Sequence, residues 1–227
     1  IPVTRDRMLP MLLDGKADIA AGNLTITAER DARIDFSNPV DARLDEVVVT
    51  GPASPTLSTL DDLAGKEVHV RPASSYFDSL KHLNEAFRKA GKPQMLLRQV
   101  PDSLEDEDLM EMLNAGIINI IVVDDWKAEI WADILKNLKV HETLKLREGG
   151  KVGWAFRENS PQLAAIVNEF LTAQRNIMGS AARRLEAYQK RMKALKNPTD
   201  ESDWQRFEQA IEFFKVYGER YHFDYLM

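Results

Sequence analysis

The sequence predicts an α/β fold, and three observations carry the prediction. Between Asp61 and His141 short apolar runs alternate with amphipathic segments. The run Ile117–Val123 (IINIIVV) is continuously apolar, as a strand buried on both faces should be. At Asp18–Gly22 another short apolar run is followed at once by Asn23, Thr25, Thr27 and Arg30. Hydroxyls, an amide and a guanidinium thus cluster just past a strand, where open α/β sheets hold small ligands.

Residues 5–14 (RDRMLPMLLD) read as a short helix with Met8, Met11 and Leu12 on one face. Pro10 fits such a helix only in its first turn, and Gly15 supplies a C-cap. Glu46–Thr50 (EVVVT) is a strand, and the Gly-, Pro- and Ser-rich stretch 51–58 is a loop or hinge. A helical turn follows over DDLAGK, then a strand at Lys66–Arg71. Ser75–Ala90 is a helix with Phe77, Leu80, Leu83, Asn84 and Phe87 on its inner side. Met95–Val100 is a strand, Leu104–Ala115 a helix, and Trp126–Leu135 another helix after the IINIIVV strand. Leu138–His141 is a short strand, and Gly149-Gly150 punctuates the chain. This βαβαβα rhythm implies a parallel sheet with right-handed crossovers. Val152–Phe156 is a strand. Ser160-Pro161 starts a helix running to about Gln174, with Leu163, Ile166, Val167 and Phe170 inward. Beyond it the chain reads as charged and helical, broken at Asn197-Pro198-Thr199. Trp204, Phe207, Ile211 and Phe214 form an apolar stripe after a capping-box-like Ser202–Gln205.

At 227 residues and 44% hydrophobic content the chain can hold one or two domains with real cores. A net charge of −6, without a basic run, argues against nucleic acid. No apolar run approaches the roughly 20 residues of a membrane span. The absence of cysteine excludes disulfides and thiolate metal sites, and fits an exported protein without proving export. His69, His82, His141 and His222 show no metal-ligand spacing, and no P-loop, dinucleotide fingerprint or nucleophile elbow appears. No cofactor or metal is expected. The chain begins at Ile1 without a methionine, and reads as a fragment or processed form.

Each candidate site has a plain structural alternative. Arg30 with Asn23 and Thr25 is either a surface turn cluster or an anion site, since a guanidinium grips a carboxylate through two parallel hydrogen bonds. Ser74 and Ser75 either cap the following helix or, with its free N–H groups, face an anion. Asp124 and Asp125 either cap the helix from Trp126 or present a carboxylate at a strand end. A paired-carboxylate glycosidase site is poorly supported, because adjacent residues at a strand end rarely face one another. Tyr76, Trp126 and Trp154 line a pocket or pack as core and rim.

The pattern G-K-x-D-I … T-I-T-x-E-R … D-F-S-x-P resembles the signature of the family 3 extracellular solute-binding proteins, two-lobed periplasmic receptors for amino acids and related molecules. The resemblance implies that Arg30 binds a ligand α-carboxylate with help from Thr25, and that Asn23 faces the ligand amino group. It implies donors from Ser74 and Ser75 in the second lobe, and Asp124 as partner of the ligand ammonium. Arg71-Pro72 departs from the Gly or small residues usual there, and Asn119 replaces an Asp usual within the strand. The run FEQAIEFFKVYGERYHFDYLM resembles the segment leading into the lysozyme-like domain of the membrane-bound lytic transglycosylase F family, and the resemblance covers roughly the last thirty residues. Glu208, Glu212 and Glu219 match no catalytic motif, so no enzyme activity is expected of this chain.

The full expectation is therefore a two-lobed periplasmic-binding-protein-like fold with parallel-rich sheets and extra C-terminal helices. Lobe 1 comprises residues 1–45 and 150–175, lacks its N-terminal part, and exposes a sheet edge. Lobe 2 comprises 51–143, and crossings near Glu46–Thr50 and Leu144–Gly150 form the hinge. Residues 176–227 form a helical linker. The expected ligand is a small zwitterion, amino acid or cell-wall peptide, bound by a periplasmic sensor module of a transglycosylase. The alternative is a free receptor of an ABC transporter.

Overall fold

A computed structural model describes residues 2–178, together with Ala187 and Arg220. The chain divides into two compact units, Ile1–Glu186 and Ala187–Met227. The tail stripe Trp204, Phe207, Ile211 and Phe214 lies outside the described residues.

The first helix, α1 (Arg5–Leu13), carries Pro10 in its interior rather than its first turn. It ends in a Schellman arrangement: Lys16 N donates to Met11 O, Gly15 N donates to Leu12 O, and Gly15 sits at φ 72°. Strand β1 is Ala20–Thr25, later than the apolar run suggests, so Asn23 and Thr25 lie on the strand itself. It is buried at Ala20, Leu24 and Thr25 but exposed at Ala21 and Asn23, not covered on both faces. A single turn, α2 (Ala28–Asp31), follows, its N-terminus held by the Thr27 hydroxyl accepting from Arg30 N. Then come β2 (Asp35–Phe36), β3 (Val40–Thr50), a 3-10 turn at Leu60–Leu63, β4 (Glu67–Val70) and α3 (Ser75–Lys89). Strand β5 (Leu96–Gln99), helix α4 (Asp106–Asn114), strand β6 (Ile120–Asp124) and helix α5 (Asp125–Ile134) complete the alternating region. Strand β7 (Lys139–Phe156) and helix α6 (Pro161–Met178) close the described part.

Parallel pairing is found between β4 and β5. The larger sheet runs β1-β7-β3-β6, and each of these pairings is antiparallel. The difference has a simple cause. β3 and β7 are the two long passages of the chain, one going out and one returning, and they pair with each other. What reads as two strands split by Gly149-Gly150 is one 18-residue strand. The glycines sit where its register with β3 shifts, beside Leu44 and Glu46. A Cβ on Gly150 would stand 2.9 Å from Leu44 O. Gly150→Ala should therefore destabilise the protein by about 1–3 kcal/mol, seen as a lower Tm. An unchanged Tm would contradict the close approach.

Two separate cores give the fold its two lobes. One gathers Val47, Val48, Val49, Leu63, Val68, Leu80, Leu113 and the all-apolar part of β6. The smaller one holds Leu12, Ala20, Leu24, Ile34 and Ala155, with Met8, Leu9 and Phe36 against it. On α6 the inward residue is Val167, while Ile166 and Phe170 are exposed, against the sequence expectation. The Phe170 ring instead lies 5.8 Å from that of Trp154. No helix among the described residues is long and apolar enough to cross a membrane.

Candidate ligand-binding site

The ends of β1 and β4 meet where the lobes meet. Thr25 is buried at the end of β1, and Ser75, buried at the start of α3, donates to its hydroxyl at 3.4 Å. Five residues on, Arg30 donates Nη1 to Thr25 O at 2.9 Å and Nη2 to Ala73 O at 2.9 Å. The guanidinium thus bridges the loop of one lobe to the loop of the other. Burial pushes its pKa down, with Asp78 opposing. Ser74 and Ser75 divide the work that the sequence left open. Ser74 caps α3, accepting from Phe77 N at 3.3 Å and donating to Arg71 O at 2.7 Å. Ser75 makes no such cap, and its hydroxyl reaches Thr25 instead. Asn23, exposed on β1 with φ 50°, has no side-chain hydrogen bond among the described residues.

Asp124 ends β6 with little exposure, and its side chain does not cap α5. Its backbone N donates to Tyr76 Oη at 3.2 Å, which ties it to the turn that carries Ser75. One carboxylate oxygen, Oδ1, is buried without a hydrogen-bond partner. The other lies 3.9 Å from Lys127 Nζ. Burial pushes the Asp124 pKa up to about 6; Lys127 works against the rise, and Asp106 and Glu46 add to it. A buried acceptor without a donor is costly, and Asp124 Oδ1 shares this state with His69 Nδ1 and Arg71 Nε among the described residues.

Two polar clusters surround these residues that the sequence reading did not identify. Arg71, almost fully buried, donates to Glu105 at 2.8 Å and to Asp106. Asp106, equally buried, also accepts from Lys127 and from Tyr76 Oη. Burial opposes the Asp106 charge, yet Lys127 and Arg71 hold its pKa below the ordinary value. Glu46, buried in β3, accepts from Ser79 and from Arg147 at 3.3 Å, and Arg147 Nη2 donates to Ser79 at 3.1 Å. Ser79 lies one helical turn beyond Ser75, so both share one buried face of α3. A glutamate heading the run EVVVT was the available signal, because a charge inside a buried strand needs a partner. Two further pairs join the lobes at the rim, Arg5–Glu105 at 3.5 Å and His82–Glu29 at 3.0 Å.

The model of the bacterial extracellular solute-binding proteins, family 3, matches residues 1–188. The chain belongs to this family. Within curated relatives, this family member is 25% identical over 150 residues to a membrane-bound lytic murein transglycosylase F of Methylobacillus flagellatus. That match covers 66% of the chain and 30% of the relative, so the chain spans less than a third of the transglycosylase. It is also 27% identical over 172 residues to an L-cystine-binding protein of Escherichia coli K12, covering 74% of the chain and 59% of the relative. In fold it is similar to an amino acid ABC transporter substrate-binding protein from Streptococcus pneumoniae solved with L-arginine. There the TM-score is 0.70 at 20% identity, over 85% of this chain and 76% of that one.

Proposed function

We propose that this family 3 member captures a small zwitterion, an amino acid or short cell-wall peptide, between its lobes. The observation that carries the reading is the buried, unpartnered Oδ1 of Asp124, whose backbone is tied through Tyr76 Oη to the turn that carries Ser75, while Thr25, Arg30 and that turn meet between the lobes. Arg30 and the hydroxyls of Thr25 and Ser75 take the ligand carboxylate, with Ser74 fixing the helix N-terminus that faces it. Asp124 takes the ammonium from one lobe, and Asn23 faces it from the other. On this reading lobe 1 comprises residues 1–45 with 150–175, and lobe 2 comprises 51–143. The antiparallel pair β3/β7 is the hinge, and the Arg30–Ala73 contact is what a ligand carboxylate replaces.

The chain serves as the periplasmic sensor module of a peptidoglycan lytic transglycosylase and performs no catalysis itself. The transglycosylase relative supports this. The second reading, a free receptor for an ABC transporter, is favoured by the cystine-binding relative, which the chain covers further. The full-length gene product separates them: a downstream lysozyme-like domain supports the sensor, and its absence supports the receptor. Pure protein should release no muropeptides from peptidoglycan; release abolished by changing one carboxylate would overturn the non-catalytic assignment.

The test of binding is calorimetry with amino acids across pH. Only ionised Asp124 attracts an ammonium. With its pKa raised to about 6 in the unliganded protein, affinity should fall as pH drops below that value. The expected loss between pH 7.5 and pH 5 is about tenfold, following from the ionised fraction. Asp124→Asn should bind weakly at both pH values. A flat pH profile in the wild type would contradict the assignment of Asp124.

A further inference from the structure

The cleft is rich in acids, yet nearly all of them already hold a cation of the chain. Asp106 is taken by Arg71 and Lys127, and Glu105 by Arg71 at 2.8 Å and Arg5 at 3.5 Å. Glu46 is taken by Arg147 at 3.3 Å, and Asp78 by Lys81 at 2.9 Å. Lys127 is the key member. It lies three residues beyond Asp124, so the first turn of α5 brings its side chain back over the strand end. Its Nζ is bonded to Asp106 and stands 3.9 Å from Asp124, with the side chain only 13% exposed. An ammonium thus fills the space between the two carboxylates.

We infer that Lys127, backed by Arg71 and Arg147, makes the cleft select a zwitterion with an uncharged side chain and reject arginine or lysine. The inference rests on the zwitterion reading above and deepens it. Asp124 offers one free oxygen, and the ligand α-ammonium uses it. Asp102 has no salt bridge to a cation of the chain, but its Oδ1 accepts from Ala73 N at 3.2 Å; a second ligand cation otherwise finds no free acid, and meets Lys127 and Arg147 as like charges. A ligand carboxylate side chain does no better. Apart from the buried Nε of Arg71, the donors of these cations already face acids, and Asp106 and Glu46 repel it. Specificity here comes from repulsion built in by the chain's own residues.

The experiment is a thermal-shift screen of the intact chain against the twenty L-amino acids and D-alanyl-D-alanine, followed by calorimetry on the binders. Uncharged probes such as L-glutamine or L-serine should bind at least tenfold more tightly than L-arginine and L-lysine. Lys127→Met keeps the aliphatic stem and removes the ammonium. It should raise the affinity for L-arginine or L-lysine at least tenfold relative to that for the best uncharged probe, whatever the common change that follows from the neighbouring Asp124. Lys127→Arg should restore the rejection, and circular dichroism should show all three proteins folded. L-arginine binding to the wild type as tightly as the best uncharged probe would overturn the inference and leave the zwitterion reading standing. So would an unchanged profile in folded Lys127→Met. Silence of the whole panel on wild type and variants alike would overturn the zwitterion reading, and the inference with it.

Discussion

Arg30→Ala is expected to lose about 2–5 kcal/mol of ligand affinity, a factor of roughly 30 to several thousand in Kd. The reason is local. The guanidinium is half-buried, its pKa is already pushed down by burial, and its two bonded nitrogens reach carbonyls of two different loops. A carboxylate seated there gains charge-assisted hydrogen bonds in a partly desolvated place. Removing the cation leaves that carboxylate with only neutral donors. Arg30→Lys should recover little, because a point charge cannot reproduce the fork. Isothermal titration with the best-binding zwitterion checks both variants, and an affinity within threefold of wild type for Arg30→Ala would contradict the role.

The second large effect is on stability. Arg71→Met should cost about 3–5 kcal/mol, because it strips one partner from the buried Asp106. Arg71 and Asp106 are 2% and 1% exposed, and Asp106 then keeps only Lys127 and Tyr76. Chemical denaturation should show a lower midpoint with unchanged slope. Adding Asp106→Asn to Arg71→Met should recover part of the loss, since the two residues form one network. If the double variant is as unstable as the sum of the singles, the pair is not coupled as described.

Much of this site was legible as a position rather than as a set of bonds. Strand end, hydroxyl, arginine and the Ser-Ser turn leave a plain surface-turn reading open on spacing alone; the family resemblance is what singles out Thr25, Arg30 and Ser75, and the fold brings them together. Ser74 resolved towards capping, because a hydroxyl at that backbone position has Phe77 N within reach. The element types were legible in the alternating region, since long amphipathic helices and the IIVV run carry strong periodicity. The single β7 strand was not, because Gly149-Gly150 signals a break locally while pairing with β3 holds the strand together. The outward Ile166 and Phe170 were also missed, since periodicity gives a face but not what covers it. Least legible was the ion network: Arg71, Asp106 and Lys127 are 35 and 21 residues apart, and only the fold makes them neighbours.

The central claim is that one zwitterion joins the two lobes through Arg30 and Asp124. A crystal structure with the best-binding amino acid tests it most directly. The account predicts the ligand carboxylate within hydrogen-bond distance of Arg30 and Ser75, with the Arg30–Ala73 contact exchanged for it. It also predicts the ligand ammonium on Asp124 Oδ1. A ligand bound elsewhere, or one seated in the cleft while Asp124 Oδ1 stays unpartnered, would contradict it.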